Sequence, residues 1–144
     1  MTERIRIAIA GYGNLGRGAE AAIGQAEDME LVGVYTRRDP KDVQTLGADV
    51  PVRSLDELAG HRQDIDVLIL CGGSKNDLPE QGPALAKLFT PVDSFDTHAR
   101  IPEYFDAVDA AARSGGNVAL ISVGWDPGLF SLNRLFGEAI LPQG

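Results

Sequence analysis

Cysteine occurs once in the 144 residues, tryptophan once and histidine twice. One cysteine, Cys71, leaves no internal disulfide framework and fits a reducing cytoplasm. His61 and His98 do not stand at ligand spacing from each other or from Cys71, so no metal site is expected. No apolar run approaches the ~20 residues needed to cross a bilayer, which excludes a membrane partner of that kind. Residues 1–7 run straight into an alternating apolar pattern. They lack the separate apolar segment and cleavage site of a secretory leader, so a cytoplasmic location is expected. Basic residues are few: 13 Lys and Arg stand against 21 Asp and Glu, a formal net charge of -8. A surface this acidic repels a polyphosphate backbone, so nucleic acid is not expected as a partner. Any local group of arginines then opposes the global field.

Hydrophobic residues make up 44% and charged residues 24%, close to the globular average, which excludes a disordered tail or a fibrous repeat. Glycine is plentiful, 17 residues, well above the usual ~7%. There is no internal repeat, low-complexity tract or long linker, so residues 1–144 read as one domain. Apolar runs alternate with segments of helical spacing. Residues 5–10, 31–36, 66–71 and 118–123 read as buried strands, 91–95 as a weaker one and 50–53 as a short one. Residues 15–26, 80–88 and 102–113 carry helical spacing, and 55–58 a short helical turn. This alternation predicts an α/β fold, a Rossmann-type doubly wound parallel sheet. Residues 127–141 read as a last helix, with Asp126 as its N-cap and Pro127 at its first position. Leu129, Leu132, Leu135, Phe136 and Ile140 form its apolar stripe. That stripe either packs on the sheet or leads toward a substrate domain outside this chain.

Gly11-Tyr12-Gly13-Asn14-Leu15-Gly16 follows the first strand and opens the first helix. In G-x-G-x-x-G, the first glycine permits the tight turn and the second lets a pyrophosphate approach the backbone. The third lets helix and strand pack closely. Phosphates then sit on free amides at the positive end of the helix. About 20 residues past such a loop, the tip of the second strand reads the adenosine ribose, with Asp or Glu where the cofactor is NAD. Here the strand ends Tyr35-Thr36-Arg37-Arg38, and Asp39 comes only after the arginines. Guanidinium groups match phosphate geometry and Thr36 offers a hydroxyl, so a 2′-phosphate is favoured and NADP is the expected cofactor. The competing reading is a pair of solvated arginines.

Cys71-Gly72-Gly73-Ser74 follows the third strand, where small residues let a ligand cross the sheet edge. They are expected to shape the path of the ribose and nicotinamide, with Cys71 itself a small apolar packing residue. Asp93-Ser94-Phe95-Asp96-Thr97-His98 lies at the same edge, where substrate chemistry would sit. Asp93 has an alternative reading as a turn carboxylate, and His98 and His61 as solvated surface residues. Trp125 and Asp126 end the last apolar run: a flat ring can wall a pocket, and a carboxylate can bind an ammonium group.

On these motifs the chain resembles the N-terminal portion of meso-diaminopimelate dehydrogenase. The resemblance is carried by the glycine loop, Thr36-Arg37-Arg38, Cys71-Gly72-Gly73-Ser74 with Leu78-Pro79-Glu80-Gln81, and the stretches 92–98 and 124–131. It implies NADP-dependent, reversible oxidative deamination of meso-2,6-diaminopimelate at its D-centre. It implies that Asp93 and Asp126 hold the reacting amino end, that Trp125 faces the substrate and that Asp96 supports that pocket. No residue is assigned as the catalytic acid or base. Members of that family continue into a second domain that closes over the substrate and carries most of the homodimer contact. The chain is therefore expected to be a fragment, or one half of a split enzyme partnered by a complementary C-terminal half. Two other readings remain open: a different NADP-linked reductase of a small carboxylated substrate, and a non-catalytic nucleotide-binding module.

Overall fold

Ile7, Ala8, Ile9 and Ala10 are all buried, so the first strand, Ile5–Ala10 (β1), is covered on both faces. In the computed structural model, which describes residues 4–141 and Gln143, β1 is the middle strand of a five-stranded parallel sheet. Residues 1–3, at the start of the stretch read for a leader, lie outside the described residues, as do Pro142 and Gly144. Its neighbours are Met29–Thr36 (β2) on one side and Val67–Leu70 (β4) on the other; Val52–Ser54 (β3) and Pro91–Asp93 (β5) flank these. Register pairs Ala10 with Tyr35 and with Leu70, and Leu70 with Asp93. The residues after β1, β2, β4 and β5 therefore emerge side by side at one carboxyl edge, where open α/β sheets bind ligands.

Alternate side chains feed two cores. Ile7, Ile9, Tyr12, Ile23 and Val34 pack on one face, under helix α1 (Asn14–Ile23). Ala8, Ala10, Tyr35, Leu68, Leu70, Phe95, Tyr104 and Val108 pack on the other, under α2 (Leu78–Ala86) and α3 (Ile101–Gly115). Helix α3 buries Tyr104, Val108, Ala111 and Ala112, a stripe at helical spacing, and stops at Gly116 with φ +68°. Two 3₁₀ turns kinked at His61 fill Leu55–Asp64, continuing past the short turn expected at 55–58. No helix among the described residues is long and apolar enough to cross a membrane.

Two expectations change. Residues 118–123 do not form a full strand. Leu120 bridges Val92, and three main-chain bonds tie 120–123 to β5, but Ser122 takes φ +58° and breaks the extended run. Val118, Leu120 and Val123 are exposed at this edge. The last helix, α4, spans Leu129–Ile140 and starts after Gly128, not at Pro127. Gly128 has φ +144°, and a Cβ there would run into the Gly124 carbonyl. No residue of α4 is buried: Leu132, Leu135, Phe136 and Ile140 all face outward.

Candidate functional site

The glycine loop occupies the carboxyl tip of β1. Gly11 donates its amide to the Tyr35 carbonyl (2.8 Å) and takes φ +95°, and a Cβ there would press on Cys71 main chain at 3.1 Å. A Cβ on Gly16 would stand 2.5 Å from the Gly11 carbonyl oxygen, so the third glycine closes α1 onto the strand. A Cβ on Gly13 would meet nothing within 4 Å. Gly13 is also the N-cap of α1, where no side chain caps the helix and no acidic residue stands in the first turn. The leading amides of α1 are thus left without a side-chain partner beside open space, which suits an anion.

Gly11, Tyr12, Gly13, Thr36, Arg37, Arg38, Cys71, Gly72 and Gly73 line one cleft of about 260 Å³. A larger, mainly apolar groove of about 630 Å³ runs between α3 and residues 117–122, away from the glycine loop. The smaller cleft is the candidate site because it carries the open amides and the guanidiniums. Thr36 is buried and its Oγ1 accepts from the Arg38 amide (3.1 Å), so the hydroxyl shapes the turn that presents both arginines. Arg38 donates through Nη2 to the Tyr12 carbonyl and so leans on the glycine loop. Arg37 forms a two-pronged ion pair with Asp77, Nη1 to Oδ1 at 2.8 Å and Nη2 to Oδ2 at 3.0 Å. Asp77 also accepts from the Gly73 amide (2.8 Å). That amide bond, aided by Arg37 against partial burial, holds its carboxyl below the usual range.

Asn14 and Leu15 bring the leading amides of α1 to the rim of the cleft, and Ser74 stands beyond its lining. Ser74 accepts through Oγ from the Asp96 amide (2.9 Å) and ties the β5 loop to the β4 loop. Cys71 is half-buried, and desolvation pushes its thiol up to about 12. Its contribution to the site is main-chain shape. A Cβ on Gly72 would stand 2.9 Å from the Asp77 Cβ, which explains a glycine there.

Asp93 is 3% exposed and faces inward. Its Oδ1 accepts from the amides of Phe95 and Ser122, both at 3.0 Å, and its Oδ2 accepts from the Tyr104 hydroxyl at 2.5 Å. Burial, with Asp93 as acceptor, raises the Tyr104 hydroxyl far above its ordinary value. Asp93 thus sits inside the fold as an anchor for the backbone at Phe95 and Ser122. Asp96 is exposed.

Trp125 is 67% exposed and lies 5.7 Å from the Phe130 ring. Asp126 does not cap α4; Gly128 does. Its Oδ1 instead accepts from Arg134 Nη2 (3.0 Å) and Ser131 Oγ (3.3 Å), with His98 Nε2 at 3.7 Å. Sequence reasoning missed Arg134, Ser131, Asp77 and Tyr104. Ser131 and Arg134 stand three apart on α4 beyond Asp126, a spacing that places them on one helix face. Asp77 and Tyr104 lie 40 and 11 residues from their partners, and spacing carries no such signal.

No protein-family model matches the chain. It is 65% identical over 141 residues to meso-diaminopimelate D-dehydrogenase of Ureibacillus thermosphaericus, covering 98% of this chain and 43% of that protein. An engineered D-amino acid dehydrogenase bound to NADP+ superposes with TM-score 0.84 at 46% identity, covering 96% of this chain and 42% of that one. Corynebacterium glutamicum DAP dehydrogenase in complex with DAP superposes with TM-score 0.84 at 46% identity, covering 99% and 42%. The chain therefore spans less than half the length of the curated relatives it matches. By sequence and by fold, it is a relative of the meso-diaminopimelate D-dehydrogenases that corresponds to their N-terminal portion.

Proposed function

We propose that residues 1–144 are the NADP-binding domain of an NADP-dependent meso-2,6-diaminopimelate dehydrogenase, working with a substrate-binding portion like the remainder of its longer relatives. The observation that carries the reading is the open face of Gly13 over the uncapped start of α1, beside Arg37 and Arg38. That combination fits a pyrophosphate and a 2′-phosphate. The α1 amides would hold the pyrophosphate and the arginines the 2′-phosphate, while Gly72 and Gly73 leave room for the chain of the dinucleotide. The chemistry that NADP would supply when held there is hydride transfer to and from the D-centre of the substrate. Asp126, half-buried and steadied by Arg134 and Ser131, would receive the reacting ammonium group, with the exposed Trp125 as a wall. Asp93 would act through Ser122, keeping the 122–126 loop in place. The relatives named for diaminopimelate, and the NADP+ complex, support this assignment.

The uncovered apolar stripe of α4 would be closed by the substrate portion, which would also carry the homodimer contact. A single reduced thiol suits a cytoplasmic setting. Calorimetry should register NADP+ binding by the 144-residue chain, without turnover. Mixing in the C-terminal portion of the Ureibacillus thermosphaericus relative should restore NADPH formation from meso-diaminopimelate. Absence of NADP+ binding would overturn the cofactor reading. NADP+ binding without turnover in the mixture would favour a non-catalytic nucleotide module.

A further inference from the structure

The tip of β2 bears no carboxylate of its own, yet the fold brings one there from 40 residues away. Asp77, entering α2 from the β4 loop, meets the Arg37 guanidinium across the cleft. The two partners are unequally held. The Asp77 side chain is 16% exposed, accepts from the Gly73 amide and is packed against the position where a Gly72 Cβ would stand. The Arg37 side chain is 66% exposed. If one partner moves, it is the arginine.

The geometry points to Asp77 as a specificity-determining residue that competes with the coenzyme's 2′-phosphate for the Arg37 guanidinium. This inference rests on the cofactor reading above. Both prongs of the ion pair lie on the Nη1–Nη2 edge, so a phosphate must displace the carboxylate from that edge or settle for the edge at Nε. In either pose a fixed carboxylate stands near a dianion, and the repulsion weakens the phosphorylated coenzyme. A coenzyme with a plain 2′-hydroxyl brings no such charge. Asp77 therefore narrows the preference for NADP over NAD and speeds release of NADP.

Calorimetric titration of the 144-residue chain with 2′,5′-ADP, 5′-AMP, NADP+ and NAD+ tests this. Asp77→Asn keeps an oxygen for the Gly73 amide and removes the charge. It should tighten 2′,5′-ADP and NADP+ by about threefold to tenfold and leave 5′-AMP and NAD+ unchanged. Asp77→Ser, checked for folding by thermal melt, carries the same expectation. Arg37→Ala combined with Asp77→Asn should lose the gain. Unchanged or weaker NADP+ binding in both Asp77 variants would overturn the competition. Failure of the unaltered chain to bind NADP+ or 2′,5′-ADP would instead overturn the cofactor reading.

Discussion

The Tyr104 hydroxyl donates to the Asp93 carboxylate at 2.5 Å beneath the carboxyl end of β5. The pair joins a helix to a strand end, because Tyr104 also stacks on Phe95 at 4.1 Å and lies over Gly82 of α2. Tyr104→Phe keeps the ring and removes one of three donors to a buried carboxylate. The expected cost is ~1–3 kcal/mol, a fall in melting midpoint of about 3–10 °C by circular dichroism. An unchanged midpoint would show that Asp93 is satisfied without it.

Gly13 and Gly16 make opposite predictions from one motif. A Gly13→Val side chain enters open space and weakens only the helix cap, so the melt should fall by at most about 1 kcal/mol while NADP+ binding is lost. A Gly16→Val side chain starts 2.5 Å from the Gly11 carbonyl oxygen, so the fold itself should weaken by about 1–3 kcal/mol. Thermal melts beside calorimetry separate the two. If Gly13→Val binds NADP+ normally, the pyrophosphate lies elsewhere.

The glycine loop was legible because each glycine answers to a local constraint: a positive φ, an open face, a close helix. The arginine pair was legible because it stands at a fixed distance after that loop. Asp77 was not, since only the parallel order of β2, β1 and β4 brings its loop to Arg37. Asp93 was half legible. Its place at the strand tip follows from the run before it, but its inward aim depends on Tyr104 arriving from α3. Residues 118–123 were misread because an apolar run suits a strand whether or not a neighbour covers it. Here the edge lies open and Ser122 turns the chain. Asp126 was expected as a cap because Asp-Pro commonly opens a helix. Gly128, pressed against Gly124, moves the start to Leu129.

Cys71 should be chemically quiet. Its thiol, raised to about 12 by burial, leaves little thiolate at neutral pH. Iodoacetamide at about pH 8 should label the folded chain at least about a hundredfold more slowly than the chain in denaturant. Fast labelling of the folded protein would mean that the β4 loop opens readily, and the cleft with it.

Glu20 couples the glycine loop to the segment after β2, and that coupling should appear in the acid stability of the chain. Its carboxylate is 6% exposed and accepts from the Tyr12 hydroxyl and from the amides of Leu46 (3.1 Å) and Gly47 (2.8 Å). Burial pushes its carboxyl up, but these three donors outweigh that and hold it below the ordinary 4.5. A carboxyl lowered by folding stabilises the native state above its unfolded value, and that stabilisation is lost as pH falls through the native value. The melting midpoint should therefore decline as pH falls from the ordinary 4.5 through the lowered native value. Asp66, lowered by its bonds from Arg6, and Asp77 contribute to the same decline. Glu20→Gln should lower the midpoint at neutral pH, costing ~1–2 kcal/mol, and should flatten part of the acid decline. The two curves should converge once the pH falls below the lowered native value, where the native carboxylate is protonated as well. Parallel curves would mean that the glutamate's charge is not what joins Tyr12 to residues 46 and 47.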